Sequence, residues 1–187
     1  MTNQEVFIRL IRRRSFEHKQ AMTLLTGAGL FGQTIAILRQ ELDSLVHVIY
    51  LLSQSLERRE FLIGALIRGE KWSQDGKHRK ISDSEMVDFA QELHGWTKSV
   101  YKFGCAFIHL SILHDYNDGD PLAMLKIDER DAILNHCRYY HGGPRTDAEH
   151  FSDLIPYLPK VLQKISTNLD CYLDSLEEGD VKASAEV

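Results

Sequence analysis

The sequence predicts an all-α fold, a single up-and-down bundle of about five to seven helices. Three observations predict it. Apolar residues recur three and four apart through almost every segment. No stretch of useful length alternates apolar and polar residues, as a half-buried strand would. A composition of 43% hydrophobic and 26% charged residues over 187 positions suits one domain with a real core.

The elements follow in order. After Asn3, a helix cap by type, Val6, Phe7, Leu10, Ile11, Met22 and Leu25 predict a first helix to about Thr26. Gly27, Gly29 and Gly32 then spell G-x-G-x-x-G. A dinucleotide-binding turn would need a strand before these glycines and a second strand with an acidic residue about twenty positions on. Neither pattern is present, so the glycines predict a corner between two antiparallel helices and no nucleotide site.

Ile35, Leu38, Leu42, Leu45, Ile49, Leu52 and Leu56 predict one long amphipathic helix. It is expected to run on through "ERREFLIGALIRG" with its weak point at Gly64. Residues 69–81 are polar and turn-rich, a surface loop. Ser82-x-x-Glu85 is a capping box for a helix over Met86 to Leu93.

From Thr97 to Tyr116, Val100, Phe103, Phe107 and Leu110 form one stripe and Cys105, Ile108 and Ile112 a second. Two apolar sides predict a central, buried helix. Asp128 is expected to cap a helix ending at Gly142-Gly143-Pro144, followed by a short helical turn near 147–154. Leu158, Leu162, Ile165, Leu169, Tyr172 and Leu176 then alternate four and three apart. One bundle domain over residues 1–178 and a flexible acidic tail over 179–187 complete the expectation. The exposed part of the 158–176 stripe, with the length of the second helix, predicts a homodimer.

Composition narrows the function classes. A formal net charge of −5 is not that of a general nucleic-acid binder. The charge is uneven, with Arg9, Arg12, Arg13, Arg14 and Lys19 near the start and Asp174, Glu177, Glu178, Asp180 and Glu186 near the end. No run has the length and apolarity of a membrane span, and the first residues lack the pattern of a signal peptide. Cys105, Cys137 and Cys171 are odd in number and widely spaced, which points to a reducing cytoplasm rather than a disulfide scaffold.

No metal site and no cofactor are expected. His109 and His114 are five apart, as are His136 and His141, and five helical residues leave a pair about 140° apart. Neither H-x-x-x-H nor E-x-x-H occurs. "DYNDGD" from Asp115 resembles a calcium loop, but its glycine comes one place early and Lys126 stands where the bidentate Glu belongs.

Two constellations remain. Arg39 and Asp43, four apart, stand beside the apolar stripe of their helix. They are expected to pair, either on the solvent side or partly buried against Ser111 or His114, with Tyr101 part of the same polar cluster. The second is "RDAILNHCRYYH", with Arg130, Asp131 and His136 on one helix. A His supplies an acid or base near neutrality and an Arg a fixed cation for a crowded phosphate, which together allow RNA cleavage without metal.

This stretch resembles the motif of the HEPN superfamily, small all-α domains that include metal-independent RNA-cleaving toxins. In that motif an Arg is followed by a polar residue and, a few positions on, by a His. The resemblance implies a catalytic role for Arg130, Asp131 and His136 at a dimer cleft, with RNA as substrate. The order Arg39, Asp43, Tyr101, Ser111, His114 is similar to an uncharacterised helical family with an R-x-x-x-E helix and a later Y…S…H helix. This chain departs from it by Asp43 in place of Glu, and the resemblance implies no activity. Two readings result: a non-enzymatic HEPN-like interaction or regulatory module acting through a protein partner, or a HEPN-like ribonuclease.

Overall fold

The computed structural model describes residues 1–74, 79–145, 147 and 150–179. Most of the expected acidic tail, 180–187, lies outside the described residues, as do 75–78 of the predicted loop and part of the predicted 147–154 turn. The helices are α1 (Asn3–Gly27), α2 (Phe31–Leu52), α3 (Leu56–Ile67), α4 (Asp83–His94), α5 (Thr97–Ile108), α6 (Ile127–His141), the single turn α7 (Phe151–Leu154) and α8 (Leu158–Glu177). A single isolated bridge, Ser73 to Lys80, is the sole β pairing among the described residues. The all-α bundle predicted from periodicity is the fold observed.

α2 is the central helix, packed against α1, α4, α5 and α8. Its apolar residues face several ways, so Ile35, Leu38, Leu42, Leu45, Val46, Val48, Ile49, Leu51 and Leu52 are all buried. Enclosure on so many sides also buries its polar residues Arg39, Glu41 and Ser44, which must then find partners inside the protein. α5 is less central than its two stripes predict: Val100, Phe103 and Phe107 are buried, but Ile108, Leu110 and Ile112 are exposed.

The predicted long second helix is two. It breaks at Ser53–Ser55 and not at Gly64, and Ser55 caps α3 by accepting from the Arg58 N–H at 3.3 Å. Arg59, almost fully buried, folds back and donates to the Leu51 and Leu52 carbonyls at 3.2 and 3.4 Å. These are end carbonyls of α2, and the Leu51 carbonyl also accepts from the Gln54 N–H at 3.0 Å, so the turn backbone and one buried guanidinium hold the corner together. The other corner, between α1 and α2, is the glycine turn: Gly29 adopts φ +72° there. Gly32 sits inside α2, where an added Cβ would come within 3.2 Å of the Tyr116 ring.

Other boundaries follow local chemistry. The capping box of Ser82 and Glu85 is formed, with the Ser82 N–H donating to Glu85 at 2.9 Å and the Glu85 N–H to Ser82 Oγ at 3.3 Å. α1 is capped by Thr2, one residue before the expected Asn3. α6 is entered through Lys126, so Asp128 is in its first turn and not its cap. α6 ends at Gly142 with φ +73°.

The stripe of α8 is covered within the chain. Leu158, Leu162, Ile165, Leu169 and Leu176 are buried against α2 and α1, and Tyr172 is half-buried with its hydroxyl 3.0 Å from His94 Nε2. The surface on which the predicted homodimer rests is therefore internal.

Candidate functional site

The catalytic motif lies on α6. Arg130 sits beside its neighbour Asp131, with Nε 3.8 Å from Oδ1, at a partly exposed position. His136 is six positions on, which turns an ideal helix through about 600° and sets the two residues about 120° apart. It faces inward, 8% exposed, with Nδ1 3.3 Å from Ser99 Oγ. Its ring packs at 5.9 Å from Trp96 and 5.2 Å from Tyr140. No hydrogen bond or ion pair joins Arg130 to His136 among the described residues.

Burial pushes the His136 pKa down to about 4, helped by nearby His141 and Lys164. An imidazole so placed is neutral at pH 7 and cannot cycle a proton near neutrality from where it stands. The pair His136 and His141 is closer than ideal helical spacing suggests, with ring centroids 5.4 Å apart. Among the described residues no group of three or more His, Cys, Asp or Glu is placed to hold a metal ion.

The other predicted cluster comes together in part. Arg39 and Asp43 form an ion pair one turn apart on α2. Arg39 is nearly closed to solvent, its guanidinium 4.1 Å from the centre of the Tyr101 ring, its Nη2 3.4 Å from Asp83 and its Nε 3.5 Å from Cys105 Sγ. Gly104 makes this approach possible, since a Cβ there would lie 2.6 Å from Arg39 Cβ. The cluster therefore locks α2 to α5 and to the start of α4, with the buried cation neutralised by two carboxylates and an aromatic face.

Ser111 and His114 stand apart from it. Neither is on α5: they bracket a 3₁₀ turn, Ile112–His114. Ser111 Oγ donates to the Ala106 carbonyl at 2.6 Å and accepts from the Leu113 N–H at 3.3 Å. His114 Nε2 lies 3.2 Å from the Phe107 carbonyl and Nδ1 3.1 Å from that of Ser111. Both side chains thus tie down the chain as it leaves α5. Asp120 of the "DYNDGD" stretch is likewise occupied, accepting from the Leu122 and Phe151 N–H groups at 2.9 and 3.0 Å and meeting His150 at 2.7 Å.

A third cluster escaped the sequence analysis. Glu41, fully buried on α2, accepts from Ser15 Oγ with one oxygen and meets His18 Nδ1 at 2.6 Å with the other. Arg14 approaches from the same side, donating to Ser44 Oγ at 3.3 Å, and burial holds its pKa down against the opposing pull of Glu41. Ser15 and His18 bond separate oxygens of the carboxylate, so the His does not activate the Ser. A signal did exist: Ile11, Ser15, His18 and Met22 share the four-three-four spacing of a buried face. Polar residues on a core stripe imply a polar partner across it.

Tyr101 and Cys105 also line an open groove of about 580 Å³ between α5 and α6, with Lys98, Lys102, Asp128 and Glu129 at its edges. No helix of the described residues is long and apolar enough to cross a membrane. No protein-family model matches the chain, and neither the curated proteins nor the solved structures contain a match to it.

Proposed function

We propose that the chain is a binding protein, a non-enzymatic helical interaction module of HEPN-like type, rather than a ribonuclease. The observation that carries this reading is the setting of His136. Its imidazole is packed among Trp96, Tyr140 and His141, with its pKa near 4 and Arg130 turned away around the helix. A metal-free RNA-cleaving site needs the opposite: a reachable imidazole titrating near neutrality beside the cation.

The module acts as a homodimer in this reading. Ile108, Leu110 and Ile112 follow one another at the end of α5, with Leu110 97% exposed. The run Ile108-His109-Leu110-Ser111-Ile112 contains no Asp, Glu, Lys or Arg, so its self-contact about a two-fold axis brings no like charges together within the run. The α8 stripe, covered within the chain, does not supply that contact.

Two measurements test the proposal. Single-stranded RNA incubated with the protein in excess EDTA should remain intact; cleavage lost in His136→Ala would establish the ribonuclease instead. Light scattering should give twice 21.5 kDa at tens of micromolar, and Leu110→Asp should give the monomer. A wild-type monomer under those conditions overturns the dimer while leaving the first result standing.

A further inference from the structure

An open basin of about 570 Å³ lies between the last turn of α6 and the middle of α8, lined by His141, Lys160, Gln163, Lys164, Thr167 and Asn168 together with the Tyr140 ring. Among the described residues no carboxylate lines it, in a chain whose net charge is −5. Lys160 and Lys164 are one turn apart on α8 and so project from one face, about 6 Å between their Cβ atoms. Their ammonium groups lie over aromatic rings, Lys160 Nζ 4.9 Å from the centre of Tyr157 and Lys164 Nζ 4.3 Å from that of Tyr140.

A second observation points to a ligand. His141 Nε2 is buried and has no hydrogen-bond partner among the described residues. Buried polar atoms are almost always partnered, so this nitrogen is an exception that requires an account. Burial, Lys164 and Lys160 together hold the His141 pKa down, an arrangement that an anion would reverse. The same two ammonium groups oppose a metal cation.

We propose that this basin is a phosphate-binding site, in which Lys160 and Lys164 neutralise the phosphate group and the His141 ring turns to donate to it from Nε2. The group arrives as inorganic phosphate or as the phosphomonoester of a small molecule. Residues carrying donors line it from two elements: two ammonium groups, the Gln163 and Asn168 amides and the Thr167 hydroxyl from α8, and an imidazole from α6. A tetrahedral dianion presents acceptors in all of those directions, which a planar carboxylate does not. The site uses none of the residues of the proposed dimer contact and stands or falls apart from it.

Calorimetric titration of the full chain with inorganic phosphate, adenosine monophosphate and adenosine, in a phosphate-free buffer at low salt, tests the assignment. Saturable binding with Kd below about 1 mM is expected for at least one phosphate-bearing probe, and none for adenosine. Equal affinity for the two phosphate probes identifies the free anion as sufficient; adenosine monophosphate tighter by about tenfold identifies a phosphomonoester. Lys160→Gln combined with Lys164→Gln should weaken binding by about tenfold or more, and His141→Gln by about threefold or more. In the wild-type protein, the His141 ring proton resonance should show its pKa rising as phosphate is added. No saturation by either phosphate probe, affinity unchanged by the double lysine variant, or a His141 resonance indifferent to phosphate would each overturn the site.

Discussion

The imidazole of His136 has one nitrogen near Ser99 Oγ and one without a partner among the described residues, and its ring is held between Trp96 and Tyr140. Ser99 keeps a bond to the Trp96 carbonyl at 2.8 Å, so it is not orphaned when the imidazole goes. His136→Ala is therefore expected to lower stability through lost packing and one lost hydrogen bond, by about 1–3 kcal/mol in chemical denaturation. A surface catalytic histidine would show almost no change. Gly104 is the counterpart in the other direction. A methyl group there meets Arg39 Cβ, an atom fixed next to the backbone of α2, so the helices must separate to admit it. Gly104→Ala should cost about 1–3 kcal/mol, the usual range for overpacking, and a melting temperature equal to wild type would show that α2 and α5 are free to adjust.

Helix by helix, what the sequence made legible was what neighbours in sequence decide. The capping box at Ser82 and Glu85 is a local exchange of hydrogen bonds, complete within four residues, and the structure forms it. Ser82→Ala should accordingly cost about 1 kcal/mol, measured by the shift in denaturation midpoint. The break after Leu52 was not legible, because it depends on Arg59 returning to bond carbonyls seven and eight residues earlier. An apolar stripe continuing through Leu56 masks such a corner. The α8 stripe is legible as an apolar face, but periodicity does not say whether another helix of the chain or a second copy covers it. The same limit applies to the Arg39 cluster: the i, i+4 spacing gave Asp43 and the chain order suggested Tyr101, whereas Asp83 and Cys105 come from other elements at no fixed offset.

Among the described residues, two imidazoles in separate places have pKa values lowered far below the usual range, His47 on α2 beside Trp72 and His136 on α6 beside Trp96. Both pKa values are lowered to about 4, chiefly by burial, with Arg14 and Arg39 adding to the effect at His47 against the pull of Asp83, and His141 and Lys164 adding to it at His136. In the unfolded chain both return to about 6.5. Between those values the unfolded state binds protons that the folded state refuses, so stability falls as pH drops from about 6.5 towards 4 and these two groups contribute no further slope below that. Urea denaturation at a series of pH values should show that decline, beginning well above the carboxylate range. His136→Gln replaces the imidazole by a group that does not titrate, and its stability should fall less steeply over the same interval even though it starts lower at pH 7. A variant with the wild-type slope would mean that His136 takes up its proton in the folded protein, and with it that the α6 imidazole is open to water.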